Sequence, residues 1–245
     1  MIIPSLSRRL SQRLLTHHVT LAGISAASVA ALYFTRSYDD IPSKLSFATA
    51  YPALALLAAT LLIGPFNLLR GKRMPISSDL RRDVGIWAGI LGLAHAVIGQ
   101  NVHLRGRPWL YYVYGPKEAH VFPLRYDLFG LANYTGLVAT LVVLLLLATS
   151  NDYALRVMST PGWKNLQRWN YLAFALTGVH ALAYQKIETQ EMAFVLTVII
   201  SLVITVVFQM LGFWRRASGK AKSNLHRSST DKLQVPTEAQ INRSI

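Results

Sequence analysis

Long apolar blocks alternate with short polar breaks along the 245 residues of the chain. A membrane-spanning helix needs about 20 predominantly apolar residues. Six blocks have that length, at roughly 16–35, 47–69, 83–104, 128–149, 166–185 and 191–214. The pattern predicts an all-α membrane protein: a six-helix transmembrane bundle spanning 15–214, preceded by a short N-terminal segment, 1–14, and followed by a tail, 215–245. The tail is rich in Ser, Lys and Arg, too polar to bury a core, and is expected to be disordered. The first apolar block is long, and no small-x-small cleavage site follows a short hydrophobic region. The first helix is therefore expected to be retained rather than removed as a signal peptide.

Lysine and arginine fall unevenly on the two sides of such a bundle. Eighteen lie in the N-terminus, the 70–82 loop, the 150–168 region and the tail, against seven in the loops on the other side. The positive-inside rule then puts both termini in the cytoplasm and makes the chain a multi-pass protein of the inner (cytoplasmic) membrane. The formal net charge of +14 fits basic loops that meet anionic lipid headgroups. No nucleic-acid binding module accompanies it, so membrane lipid and not nucleic acid is the expected partner of the charge. The chain has no cysteine. That excludes disulfides, thiolate-ligated or covalently attached heme, and cysteine-ligated iron–sulfur clusters.

Two histidines, His95 and His180, sit deep inside apolar blocks. An imidazole in hydrocarbon is costly, which makes each a candidate for function. Counted from Asp83, His95 lies 12 residues into its helix; counted from Leu166, His180 lies 14 residues into its own. At about 1.5 Å per residue these are depths of roughly 18 and 21 Å. Both helices run the same way, so the two imidazoles share one level, where they can hold one metal centre between them. A bis-imidazole heme b is the leading candidate, because imidazole is a usual axial ligand of heme iron. The competing structural role is interhelical hydrogen bonding. Zinc fits less well, since a four-coordinate site wants more ligands than this level offers. Small residues accompany both: Gly85, Ala88, Gly89, Gly92 and Gly99 around His95, and Ala173, Thr177 and Ala183, with Tyr184, around His180. They would admit a flat macrocycle, or simply close helix packing.

The other histidines carry less. His17, His18 and His226 read as interfacial or solvated. His103 is two turns beyond His95 on roughly the same face and could reach a heme edge, and His120 falls in the loop 103–127. That loop also carries Trp109, Tyr111, Tyr112, Tyr114 and Phe122, read as an interfacial aromatic belt or as a lid and docking surface. Arg105, Arg107 and Arg125 there could pair with heme propionates. No GxGxxG motif is present and no segment is left for a flavin or nicotinamide domain, so electrons must come from elsewhere. Arg81, Arg82 and Arg168 could meet the phosphate of a flavin.

Three stretches point to a family. Arg81-Arg82-Asp83-Val84-Gly85 leading to His95, Ala148-Thr149-Ser150 closing the fourth block, and Trp163 to Tyr171 (Trp-Lys-Asn-Leu-Gln-Arg-Trp-Asn-Tyr) leading to His180 resemble the ferric reductase-like transmembrane family. Within it, the likeness is closest to the heme-binding membrane subunit of bacterial periplasmic methionine sulfoxide reductase. The resemblance covers about 80–215. It implies a six-helix bundle with b-type heme held by His95 and His180 as axial ligands at the outer-heme position. Two-heme members carry a second, inner histidine pair, at positions here occupied by Arg81 and Gln167, which implies a single heme unless His17 or His18 reaches across. The function implied is electron transfer from quinol or a flavin donor (FMN or quinone as additional cofactor) to an extracytoplasmic acceptor, either a partner oxidoreductase or ferric iron. The chain would then be an electron-transfer subunit of an oxidoreductase or a ferric reductase-like protein, served by membrane quinol or a cytoplasmic flavin reductase, with no catalytic side chain of its own. The alternative is a heme-free membrane scaffold or transporter subunit that keeps the same bundle.

Overall fold

The computed structural model describes residues 13–35, 38–71, 76–104, 106–118, 120–189 and 191–233. A π-helical turn, Leu14–Val19, runs straight into α1 (Thr20–Tyr33); α2 (Ile41–Leu69), α3 (Ile76–Gly99), α4 (Leu128–Ala148), α5 (Asp152–Gln167), α6 (Trp169–Ile187) and α7 (Met192–Leu233) follow. Apart from an isolated bridge between Val113 and Leu124, there is no β-pairing among the described residues.

Local chemistry sets the boundaries. Asp40 caps α2 by accepting from the Ser43 amide at 2.9 Å, with Pro42 in the first turn where its missing N–H costs nothing. Asp127 caps α4 through the Gly130 amide at 2.6 Å, and Asn151 caps α5 through the Ala154 amide at 2.8 Å. Pro52 and Pro65 lie inside α2 without ending it; in apolar surroundings the helix is held by its neighbours. α5 was expected to be loop. It is an amphipathic helix with a break at Ser159, whose φ is 58°, just before Pro161, and it contributes no residue to the core.

Four segments are long and apolar enough to cross a membrane: Leu15–Tyr33, Ile41–Leu69, Leu128–Ala148 and Met192–Ser218. Their outward faces expose Leu137, Leu141, Leu144, Ile200, Val203 and Val207, an apolar surface far beyond that of a soluble monomer. This is the construction of a multi-pass membrane protein. The other two expected spans correspond to α3 and α6. These are the helices whose polar residues turn inward, which lowers their mean hydropathy. α7 carries on past Trp214 through the polar stretch to Leu233, so the first part of the segment expected to be disordered is helical. Extending an existing helix needs no new nucleation. Residues 234–245, like the N-terminal segment 1–12, lie outside the described residues.

α2 is the hub, packed against α1, α3 and α7, while α4 lies between α3 and α6. The core is built from Leu54, Leu57 and Leu61 of α2 with Ala88, Phe174 and Val198 from the surrounding helices, and a second cluster joins Val142 and Leu146 to Ala173. Arg13 reaches Asp83 at the start of α3, and Arg215 donates to the Leu69 carbonyl at the end of α2. The two ends of the bundle segment thus lie together, at the end that carries most of the arginines. The loop 103–127 closes the opposite end.

Candidate functional site

α3 and α6 face one another across a cavity of about 1340 Å³ that runs lengthwise through the bundle. His95 and His180 both line it. Their ring centres are 6.0 Å apart and their planes cross at 79°. The equal depth expected for the two imidazoles is therefore realised, with the rings edge to face.

Each ring is oriented by a helix other than its own. Nδ1 of His95 lies 3.0 Å from the Ser46 carbonyl on α2, and Nδ1 of His180 lies 2.8 Å from the Ala132 carbonyl on α4. A carbonyl can only accept, so both Nδ1 atoms carry the proton and both Nε2 atoms keep a lone pair. Neither Nε2 has a hydrogen bond among the described residues. Imidazoles that ligate metals are commonly held this way, with the second nitrogen donating to a carbonyl. The approach of α4 requires Gly136: a Cβ there would lie 2.6 Å from His180 Nδ1 and 2.9 Å from Cε1. Tyr184, one turn beyond His180, packs 4.9 Å from its ring and donates to Asn133 Oδ1 at 2.9 Å.

The donor set fits a heme. It consists of two imidazoles, ring centres 6.0 Å apart, each with an Nε2 lone pair of the kind heme iron takes. Gly92, on the His95 face, has no atom within 4 Å of the position its Cβ would take, and Gly85, Gly89 and Gly99 line the same wall. The chain offers open space beside the pair as well as the two nitrogens. No group of three or more histidine or carboxylate side chains suited to a metal ion is present among the described residues.

The remaining expectations divide. His103 lines the cavity, but its Nε2 lies 3.1 Å from Glu188 and its ring stacks on Tyr184. Arg125 is taken up by the loop: it donates to the Leu110 carbonyl and to Asp127, both at 2.8 Å, and lies over the Tyr114 and Phe129 rings. It does not line the cavity, and neither does the exposed Arg107; Arg105 is outside the described residues. The loop divides its rings: Trp109 and Phe122 are exposed, as an interfacial belt would have them, while Tyr111 is turned inward. Tyr111 is 1% exposed, donates to the Gly99 carbonyl, and accepts from the amides of His103 and Leu104, so the loop is fastened onto the end of α3. Tyr112 is buried enough beside Tyr134 that desolvation holds its hydroxyl above the ordinary tyrosine pKa.

His17 and His18, expected to be interfacial or solvated, are partly buried and engaged. They surround Asp83, whose side chain is 0% exposed. His17 Nδ1 donates to one carboxylate oxygen at 2.8 Å, and His18 Nε2 faces the other at 3.4 Å. Arg13 Nε donates at 2.9 Å, and a second guanidinium nitrogen also bonds the carboxylate. The Trp87 indole donates to His18 Nδ1 at 3.3 Å, which leaves the His18 proton on Nε2, pointing at Asp83. The π-helical turn is what presents consecutive histidines to one carboxylate. Nothing in the sequence beyond a lone acid at the mouth of an apolar block signalled this cluster. It also withdraws both histidines from the inner site, where Arg81 and Gln167 line the cavity instead. Beside them, Arg82 donates to Asp152 at 2.6 Å, and that hydrogen bond holds the Asp152 carboxyl below the ordinary aspartate pKa.

No family model matches the chain. Over 185 residues, 74% of its length, it is 30% identical to an uncharacterized protein of Treponema pallidum (strain Nichols). That stretch covers 45% of the Treponema protein, so the chain spans less than half the length of this relative.

Proposed function

We propose that the chain is a b-type heme membrane electron-transfer protein that passes electrons from quinol or a flavin donor to an extracytoplasmic acceptor, a partner oxidoreductase or ferric iron. The observation that carries this reading is the His95–His180 pair: rings edge to face, 6.0 Å apart, each with Nδ1–H tied to a carbonyl and Nε2 free. In this reading α1–α4, α6 and α7 form six spans, both termini are cytoplasmic, and the membrane is the inner one. The basic bias supports that orientation, as does the meeting of Arg13 and Arg215 at the basic end of the bundle. The likeness to ferric reductase-like bundles is part of the same proposal.

When bound, heme supplies a one-electron carrier. The chain's own residues do the rest. His95 and His180 present neutral imidazoles, and the Ser46 and Ala132 carbonyls fix their tautomers and increase their basicity. Gly92 and its neighbours leave the wall flat. Tyr184 and His103 line the cavity at the far end, beside the loop 103–127. The site lies nearer that end, so an acceptor docks there, while a donor serves the basic end through a membrane quinol or a cytoplasmic flavin reductase.

The test is the absorption spectrum of the full chain purified in detergent from a heme-replete host. The expected result is a low-spin b-type spectrum with about one extractable heme per chain, lost in His95→Ala and in His180→Ala. A heme-free wild type would overturn the proposal in favour of a scaffold or transporter subunit. Undiminished low-spin heme in both variants would overturn the ligand assignment.

A further inference from the structure

The cavity is larger than the His95–His180 level needs. Pockets for single small ligands run to about 1,000 Å³, and this one continues towards the basic end, well below the histidines. There its polar wall consists of Arg81, Arg82, Lys164, Gln167, Arg168 and Arg216. The carboxylates that line the cavity, Asp40 and Glu188, are at the opposite end. Among the described residues no carboxylate comes within 4 Å of Arg81, Lys164, Arg168 or Arg216, and Arg82 alone has one, Asp152. Two donors, Gln167 Nε2 and Arg82 Nε, are buried with no acceptor. Buried donors are almost always satisfied, and cations beside an apolar interior are usually paired. Ordinary positive-inside loops place charges in water; here Arg81 and Arg82 are half-buried in the chamber wall, and the exposed Lys164, Arg168 and Arg216 ring its mouth. The chamber's other wall is apolar, made by Leu57, Leu61, Val143, Leu146 and Leu147, and Arg81 extends across it to within 3.8 Å of the position a Gly64 Cβ would occupy.

We propose that the inner half of the cavity is a binding site for a phosphate-headed amphiphile, its phosphate held by the arginines with Gln167 and its apolar body lying along the leucine wall towards the histidines. Planar guanidinium groups match phosphate oxygens two at a time. Five cations with one paired acid favour a dianionic monoester over a zwitterionic headgroup. The occupant takes the place that a second pair of imidazoles would need, which Arg81 and Gln167 cannot supply. The site does not depend on a metal at His95 and His180.

The test uses the full chain in a neutral detergent and follows thermal unfolding with four probes. These are lysophosphatidic acid, lysophosphatidylcholine, riboflavin 5′-phosphate and inorganic phosphate. Lysophosphatidic acid is expected to raise the unfolding temperature in a concentration-dependent way, with lysophosphatidylcholine and inorganic phosphate much weaker. A shift with lysophosphatidic acid supports the site, and a shift with riboflavin phosphate alone would overturn the amphiphile in favour of a flavin at the same arginines. Arg81→Gln/Arg168→Gln is expected to weaken the effective probe at least about tenfold, as loss of charge-assisted bonds does, and Gln167→Leu is a milder second variant that should weaken it in the same direction. The response should persist in His95→Ala/His180→Ala, which separates this site from the heme reading. Equal stabilisation by lysophosphatidylcholine or inorganic phosphate, no stabilisation by any probe, or an undiminished response in the arginine variant would each overturn the proposal.

Discussion

Gly136→Ala isolates how the histidine pair is positioned. A methyl at residue 136 would sit 2.6 Å from His180 Nδ1 and 2.9 Å from Cε1, inside any tolerable contact. The neighbour is a ring already fixed by its bond to the Ala132 carbonyl, so relief requires α4 to retreat or the ring to turn and give up that bond. Overpacking of this kind costs about 1–3 kcal/mol, and the lost hydrogen bond about 0.5–1.5 kcal/mol. Replacing a mid-helix glycine returns about 0.5–1 kcal/mol through backbone entropy, which leaves a net loss of about 0.5–4 kcal/mol. Gly92→Ala is the internal control. It gains the same entropy, and its Cβ meets nothing within 4 Å, so protein without bound cofactor should be as stable as wild type or slightly more so. Thermal unfolding in detergent, followed by circular dichroism on cofactor-free protein, measures both. The expected order is Gly92→Ala at or above wild type and Gly136→Ala below it. Gly136→Ala at wild-type stability would show that α4 and His180 are not in the contact described. If heme occupies the site, its loading should fall in both variants, for different reasons: a displaced ligand in one and an obstructed wall in the other.

Three further outcomes are expected. Asp83→Asn leaves Arg13 and two histidines around a neutral group, and breaking a buried ion pair on one side costs about 3–5 kcal/mol; protease cleavage near the N-terminus of the intact protein, compared with wild type, would reveal α1 detaching, and an unchanged pattern would contradict the cluster. Tyr111→Phe removes one donor bond and two accepted bonds, with an expected loss of about 1–3 kcal/mol and faster proteolysis within 103–127. The Asp152 carboxyl, held low by Arg82, contributes stability that is present above its unfolded pKa of about 3.9 and is lost as pH falls through its lower folded value. Arg82→Ala should remove that acid-side component and leave the profile above pH 6 unchanged in shape; an identical acid limb in the variant would refute the pairing.

Four of the spans and the shared level of the two histidines were legible because both follow from linear quantities. Apolar length marks a helix, and 1.5 Å per residue places His95 and His180 at one level. What oriented the pair was not legible. The Ser46 and Ala132 carbonyls are backbone atoms 49 and 48 residues away in sequence, and no side-chain pattern announces a carbonyl. Gly136 looked like any glycine in an apolar run. α5 was missed because it falls in a polar stretch between two apolar blocks, and apolar length was the only mark of a helix in the reading; its backbone breaks at Ser159 and resumes helix. His17 and His18 were misjudged for a different reason. Their proximity to the end of a span suggested water, while their partner, Asp83, lies 66 and 65 residues on, and only tertiary packing brings the two together.

The division of labour between the helices that carry the imidazoles and those that orient them has a consequence for biosynthesis. α2 supplies one orienting carbonyl, α3 the first imidazole, α4 the second carbonyl, and α6 the second imidazole. As the ribosome delivers these in order, a nascent chain holds three of the four contributions and still lacks a site, and the pair is completed only when α6 has been inserted beside α4. Any group captured between the histidines is therefore loaded onto a nearly finished bundle and cannot serve as a nucleus around which the earlier helices assemble. Chains stalled before residue 187 would accumulate as integrated but vacant membrane protein, already committed to their topology.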